Sequence, residues 1–170
     1  RGYTISNLTI ARDSENYCGL FGQVYDSAIL SEIVLTNVNI SGGANTGALA
    51  GNCTGTISNC SVTGIVNSAQ KSVGGLVGSV SQSKISYSSV NNIIIRWYDD
   101  ISNIRVGGLI GYGYGMSLYN SFAPSLALFR PLFKSLAPSF NFDTALTNSS
   151  NGSVISLISI STSIPIFIPL

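Results

Sequence analysis

Along the first 122 residues apolar side chains recur in short alternating runs, and the runs themselves recur. Ile5-Ser6-Asn7-Leu8-Thr9-Ile10 is echoed by Leu35-Thr36-Asn37-Val38-Asn39-Ile40, Ile57-Ser58-Asn59-Cys60-Ser61-Val62, Ile85-Ser86-Tyr87-Ser88-Ser89-Val90 and, degenerately, Leu118-Tyr119-Asn120-Ser121-Phe122. Apolar ends with polar residues between them follow a period near two, the signature of a strand with one buried face. A second block recurs in step with the first: Tyr17-Cys18-Gly19-Leu20-Phe21-Gly22, Thr46-Gly47-Ala48-Leu49-Ala50-Gly51, Val73-Gly74-Gly75-Leu76-Val77-Gly78 and Val106-Gly107-Gly108-Leu109-Ile110-Gly111. Each copy holds Leu in fourth place and Gly in sixth, and the copies are 29, 27 and 33 residues apart. No stretch before Phe122 has a helical period.

Short strands joined by Gly, Asn and Ser turns and repeating about every 27 residues predict the coils of a β-solenoid. One coil cannot bury its own apolar residues. Stacked coils align equivalent positions about 4.8 Å apart and build a continuous core. The expected architecture is therefore all-β, a right-handed parallel β-solenoid of about four to five coils over residues 1–122, the handedness following the usual parallel crossover. Leu20, Leu49, Leu76 and Leu109 should form one inward ladder, Ile10, Ile40, Val62 and Val90 a second, with Ile5, Leu35, Ile57 and Ile85 near the other end of that same strand. Gly22, Gly51, Gly78 and Gly111 are expected at corners, where a positive φ or closely stacked backbones exclude a Cβ.

The Gly-Gly-Leu-Val-Gly core at 74–78, with Ile57-Ser58-Asn59-Cys60-Ser61-Val62-Thr63-Gly64, resembles the GLUG motif, a repeat named for its Gly-Leu-any-Gly core. The resemblance spans Arg1 to about Phe122. It implies an extracellular β-helical stalk or display module of the kind found in adhesin-like surface proteins and in non-catalytic regions of IgA-protease-type metallopeptidases. The family motif is structural, so no catalytic residue transfers with it.

One interval departs from the repeat. Val62 to Val73 spans 11 residues and Val90 to Val106 spans 16, so extra residues fall around Arg96-Trp97-Tyr98-Asp99-Asp100. Insertions in solenoids emerge on one face and often bind. Trp97 and Tyr98 could stack on a sugar while Asp99 and Asp100 accept its hydroxyl hydrogen bonds or hold calcium. The competing reading is an aromatic pair that covers the flank of the coil. As a glycosidase pair the two aspartates are poorly disposed, since neighbours on a strand face opposite ways.

After Phe122 glycine becomes rare and all five prolines appear, so residues 123–170 form a separate cap or apolar tail. Within them Ile158-Ser159-Ile160-Ser161 alternates like a strand. Such a segment suits the open end of a solenoid, where strand edges and core would otherwise be bare.

Composition narrows the function classes. Only 9% of residues are charged while 45% are hydrophobic, so the chain folds, and with a net charge of +1 and scattered basic residues no nucleic-acid stripe exists. Histidine is absent, which removes histidine triads and His-ligated zinc. No metal or cofactor is expected, and no apolar run is long enough for a spanning helix. Cys18, Cys53 and Cys60 are too few for a disulfide framework; Cys53 and Cys60 would pair only if their Cα atoms came within about 7 Å, and otherwise Cys60 is a core residue. Asn7, Asn39, Asn52, Asn59, Asn148 and Asn151 fit the N-glycosylation pattern, although so Asn-, Ser- and Thr-rich a chain yields such matches by chance. The repeated Asn7, Asn37 and Asn59 are expected to form amide ladders or settle turns. The expected role is a non-catalytic structural or adhesive module outside the cell. Two alternatives stand beside it: a carbohydrate-binding or carbohydrate-cleaving β-helix using residues 96–100, and a subunit of a filament assembled through coil ends or the tail. The partner would be a surface glycan, another protein or a second copy.

Overall fold

The computed structural model describes residues 2–97, 105–123 and 126–129. They form an all-β, parallel solenoid of about four turns, with four sheets running along its axis. Each coil visits the sheets in one order. Face I holds β6 (Thr46–Gly47), β10 (Ser72–Gly74) and β14 (Arg105–Gly107). Face II holds β3 (Phe21–Val24), β7 (Ala50–Cys53), β11 (Val77–Ser81) and β15 (Ile110–Tyr114). Face III holds β4 (Ile29–Ser31), β8 (Thr56–Ser58), β12 (Lys84–Ser86) and β16 (Ser117–Tyr119). Face IV holds β1 (Tyr3–Ser6) and β2 (Thr9–Arg12), which lie end to end on β5 (Ile33–Gly42), followed by β9 (Ser61–Ser68), β13 (Ser89–Trp97) and β17 (Leu126–Phe129). Strand β17 continues face IV past the expected boundary at 122.

The leucine ladder is the centre of the core. Leu49 and Leu76 are fully buried, Leu109 is 9% exposed and Leu20, in the first coil, is half-buried. The N–H of Leu20 donates to Ala48, that of Leu49 to Leu76 and that of Leu76 to Leu109, so the leucines advance one coil per bond. Burying one such side chain contributes about 1.5–3 kcal/mol.

The other two ladders differ from the sequence expectation. Ile10 and Ile40 pair with Val66 and Ile95, not with Val62 and Val90. Val62 and Val90 continue the column of Ile5 and Leu35, whereas Ile57 and Ile85 lie on face III between Leu30 and Leu118. The cause is that left-handed residues stand at two different points along this part of the coil. Glu32, Asn59, Tyr87 and Asn120 turn the corner from face III to face IV with φ of 56, 52, 48 and 45°, while Asn7, Asn37 and Asn92 kink face IV itself with φ of 59, 53 and 46°. The two Ser-Asn signatures look alike but mark different bends, and Asn tolerates this region better than most residues. Asn7 and Asn37 do form an amide pair, Asn37 Nδ2 donating to Asn7 Oδ1 at 2.7 Å; Asn59 belongs to the other column.

Strand β9 lacks the kink residue. The register therefore shifts between Leu35 and Val38 on one side and between Val90 and Ile93 on the other. Gly64 absorbs the mismatch at φ 134°, where a Cβ would stand 2.2 Å from the Val38 carbonyl oxygen. Thr63 Oγ1 accepts the Asn37 N–H, which has no backbone partner opposite it.

The glycines after each leucine are not corners. None has a positive φ, and all lie in the strands of face II. Their requirement is close approach: a Cβ on Gly51 would meet the Tyr17 carbonyl carbon at 2.2 Å, and one on Gly78 the Asn45 carbonyl carbon at 2.4 Å. Here the chain folds from face I to face II so tightly that the two backbones touch.

Candidate interaction surface

With the interior columns fixed by packing, chemistry is confined to the outward positions and the ends. On faces II and III the middle coils present small polar residues. Asn52 and Ser79 share a column with Gln23 and Tyr112, and Ser58 and Ser86 share one with Ser31 and Tyr119. Large exposed apolar residues concentrate in the outer coils. Tyr3, Tyr17, Phe21, Tyr25 and Ile29 mark one end, Tyr112, Tyr114, Tyr119 and Phe122 the other, with Tyr87 on the corner beside them. Two of these rings are held in place: Tyr119 meets Tyr87 edge to face with centroids 5.4 Å apart, and the Arg105 guanidinium lies 4.1 Å from the Tyr112 ring centroid.

Charge is also uneven along the axis. Among the described residues every carboxylate, Asp13, Glu15, Asp26 and Glu32, lies before face IV of the first coil, while Lys71, Lys84, Arg96 and Arg105 lie beyond it. The acids are engaged locally. Arg12 Nη1 donates to Glu15 Oε2 at 2.8 Å, which raises the Arg12 pKa, and Ser41 Oγ donates to Asp13 Oδ1. Among the described residues no three His, Cys, Asp or Glu side chains are gathered as metal ligands.

Of the residues singled out from the insertion, Trp97 is described and Tyr98, Asp99 and Asp100 lie outside the described residues. Trp97 is the last residue of β13, opposite Ser68, half-buried against the core. The extra residues are thus split: one is the Asn92 kink within β13, and the rest lie between Trp97 and Arg105. Of the glycosylation matches, Asn7, Asn39 and Asn59 are exposed and Asn52 is half-buried on β7; Asn148 and Asn151 lie outside the described residues.

All three cysteines are free and buried. Loss of solvation holds each thiol above its ordinary pKa, tempered by a backbone contact from Gly55 at Cys53 and from Ile33 at Cys60. Cys60 has a structural task that sequence reading missed. After the left-handed corner residues Asn59 and Tyr87 the next N–H turns toward the following coil, where a hydroxyl accepts it: Cys60 to Ser88 Oγ at 3.2 Å and Ser88 to Ser121 Oγ at 3.1 Å. The side chains of Cys60, Ser88 and Ser121 each donate to the carbonyl two residues earlier, Ser58, Ser86 or Tyr119. The signal was the recurrence of Cys or Ser directly after Asn59, Tyr87 and Asn120.

The chain is similar to stretches of long proteins. It is 40% identical over 77 residues to halomucin of Haloquadratum walsbyi, which covers 45% of this chain and 1% of that protein. It is 32% identical over 124 residues to an immunoglobulin A1 protease of Streptococcus sanguinis, covering 69% of this chain and 7% of that protein. An immunoglobulin A1 protease of Streptococcus pneumoniae is 36% identical over 87 residues, half of this chain and 4% of the protease. The chain therefore spans a small fraction of the relatives it matches. No family model matches it, and no solved structure matches it.

Proposed function

We propose that the chain is a non-catalytic repeat module of a secreted or cell-surface protein, of the GLUG type, which spaces or displays other parts of that protein. The observation that carries this reading is the contrast between interior and exterior. Among the described residues inward columns repeat coil after coil, while outward columns vary from coil to coil, as from Gln23 through Asn52 and Ser79 to Tyr112. Such a stack defines length and rigidity and leaves its surface free. The relatives support the same reading: the matched stretch is a few per cent of each protein, as expected of a repeat, and one of the names denotes action on an immunoglobulin, which is an extracellular substrate. Antibodies raised against the folded chain should label intact cells of the source organism or their culture medium, and brief external proteolysis should remove a cell-bound signal. Labelling only after permeabilisation would overturn the proposal.

A second reading is carried by the longest coil, most of whose added residues lie between Trp97 and Arg105 in the sequence, with the Arg105 guanidinium against the exposed Tyr112 ring. It makes the module carbohydrate-binding. A glycan array tests it: binding should fall with Trp97→Ala and Asp99→Ala, and equal binding by the variants removes it.

A further inference from the structure

Face II carries two outward columns, and both change character in the same way along the axis. One runs through Gln23, Asn52, Ser79 and Tyr112. In the other, Tyr25 and Thr54 follow the paired Val24 and Cys53, and Ser81 pairs with Tyr114. Coils 2 and 3 thus lay four small, half-buried polar side chains side by side, Asn52, Thr54, Ser79 and Ser81, and tyrosines rise at either end of them. Tyr25 is 67% exposed and Tyr114 65%, against 37% for Tyr112, whose ring lies under the Arg105 guanidinium. Three coil spacings separate Tyr25 from Tyr114, about 14 Å along the axis. Tyr25 is braced, its hydroxyl donating to Gln23 Oε1 at 3.1 Å. Among the described residues nothing bonds the Asn52 amide or the Ser79 and Ser81 hydroxyls, so the floor between the tyrosines keeps donors and acceptors for a ligand.

We infer that face II binds a neutral oligosaccharide laid along the solenoid axis, its end sugars stacked on Tyr25 and Tyr114 and its middle hydroxyls bonded to Asn52, Thr54, Ser79 and Ser81. Three features select this class of ligand. Side-chain hydroxyls and amides both donate and accept, as sugar hydroxyls do, so the floor answers a bond of either sense. Neither column contains a charged side chain, so nothing there would offset the desolvation of a phosphate, sulfate or carboxylate. The order of rings and polar groups is also the reverse of a protein interface, where apolar anchors hold the centre inside a polar rim. Here polar groups hold the centre and rings hold the ends, each ring offering a sugar an apolar face beside a polar edge. The site is separate from the loop between Trp97 and Arg105, since Trp97 ends a strand of face IV. It rests on face II alone and not on the proposed function.

An array of neutral tri- to hexasaccharides, with sialylated and sulfated glycans alongside, tests it on the full chain. Neutral members should be retained, and affinity for the best of them should fall about tenfold or more in Tyr25→Ala and in Tyr114→Ala. Ser79→Arg, which fills and charges the floor, should abolish binding, whereas Trp97→Ala should leave it unchanged. The three face II side chains point outward, so thermal unfolding of their variants should match that of the parent chain and separate lost binding from lost folding. Absence of binding to every neutral glycan, preference for the charged ones, or binding that survives both tyrosine variants overturns the inference. So does loss with Trp97→Ala alone, which assigns the ligand to the loop instead.

Discussion

At the scale of single residues, the positions that matter most are those that repair the backbone where it leaves the ladder. Cys60 Sγ donates to the Ser58 carbonyl as Ser88 Oγ does to Ser86 and Ser121 Oγ to Tyr119, so Cys60→Ser should leave stability within about 1 kcal/mol, whereas Cys60→Ala, which removes that donor from a buried position, should cost about 1–3 kcal/mol. Urea unfolding of the two variants checks the difference. The thiols also set the alkaline limit. A cysteine whose pKa is raised by folding holds its proton more tightly in the native chain, so its contribution is complete below the unfolded value, about 8.5, and is lost as pH climbs through and above it. Unfolding free energy should therefore decline between pH 8 and 10, and less so in a Cys53→Val, Cys60→Ser double variant. The corner column was invisible from composition because Cys and Ser look unrelated until their shared position in the coil is known.

Elements here are short, and their placement follows backbone contact as much as side-chain burial. Gly78 sits in β11 against the Asn45 carbonyl carbon, so Gly78→Val should cost several kcal/mol and Ser79→Val on the same strand about 1 kcal/mol or less. Ser79 is itself half-buried, yet its side chain faces outward in the polar column with Asn52. Gly64→Ala should be similarly severe, since both φ and the approach to Val38 oppose it. Thermal unfolding of the three variants gives the order. The strands, their parallel pairing and the leucine column were legible in the sequence because period two and the Gly-Leu-Gly block coincide. The face IV register was not, because Asn7 and Asn59 mark bends at different points of the coil and local pattern carries no information on which bend is which. For the candidate site, Trp97 was placed in an insertion loop but ends a strand, since a single added residue at Asn92 shifts where the insertion begins.

For the molecule as a whole, stability should be graded along the axis, because each coil touches only its neighbours. Leu76 is enclosed on both sides and Leu20 on one, so Leu76→Ala should cost about 2–5 kcal/mol and Leu20→Ala clearly less. Amides in β7, β9 and β11 should correspondingly outlast those in β1, β2 and β3 in native-state exchange. The parallel pairing that joins these strands has a mechanical corollary. Its hydrogen bonds point along the stacking direction, so tension applied between the two ends loads them one row at a time instead of all together. A tethered module of this kind would unspool turn by turn, each turn freeing 27 to 33 residues, or roughly 9 to 12 nm of slack, and would lengthen under strain where a shear-loaded domain would hold and then snap.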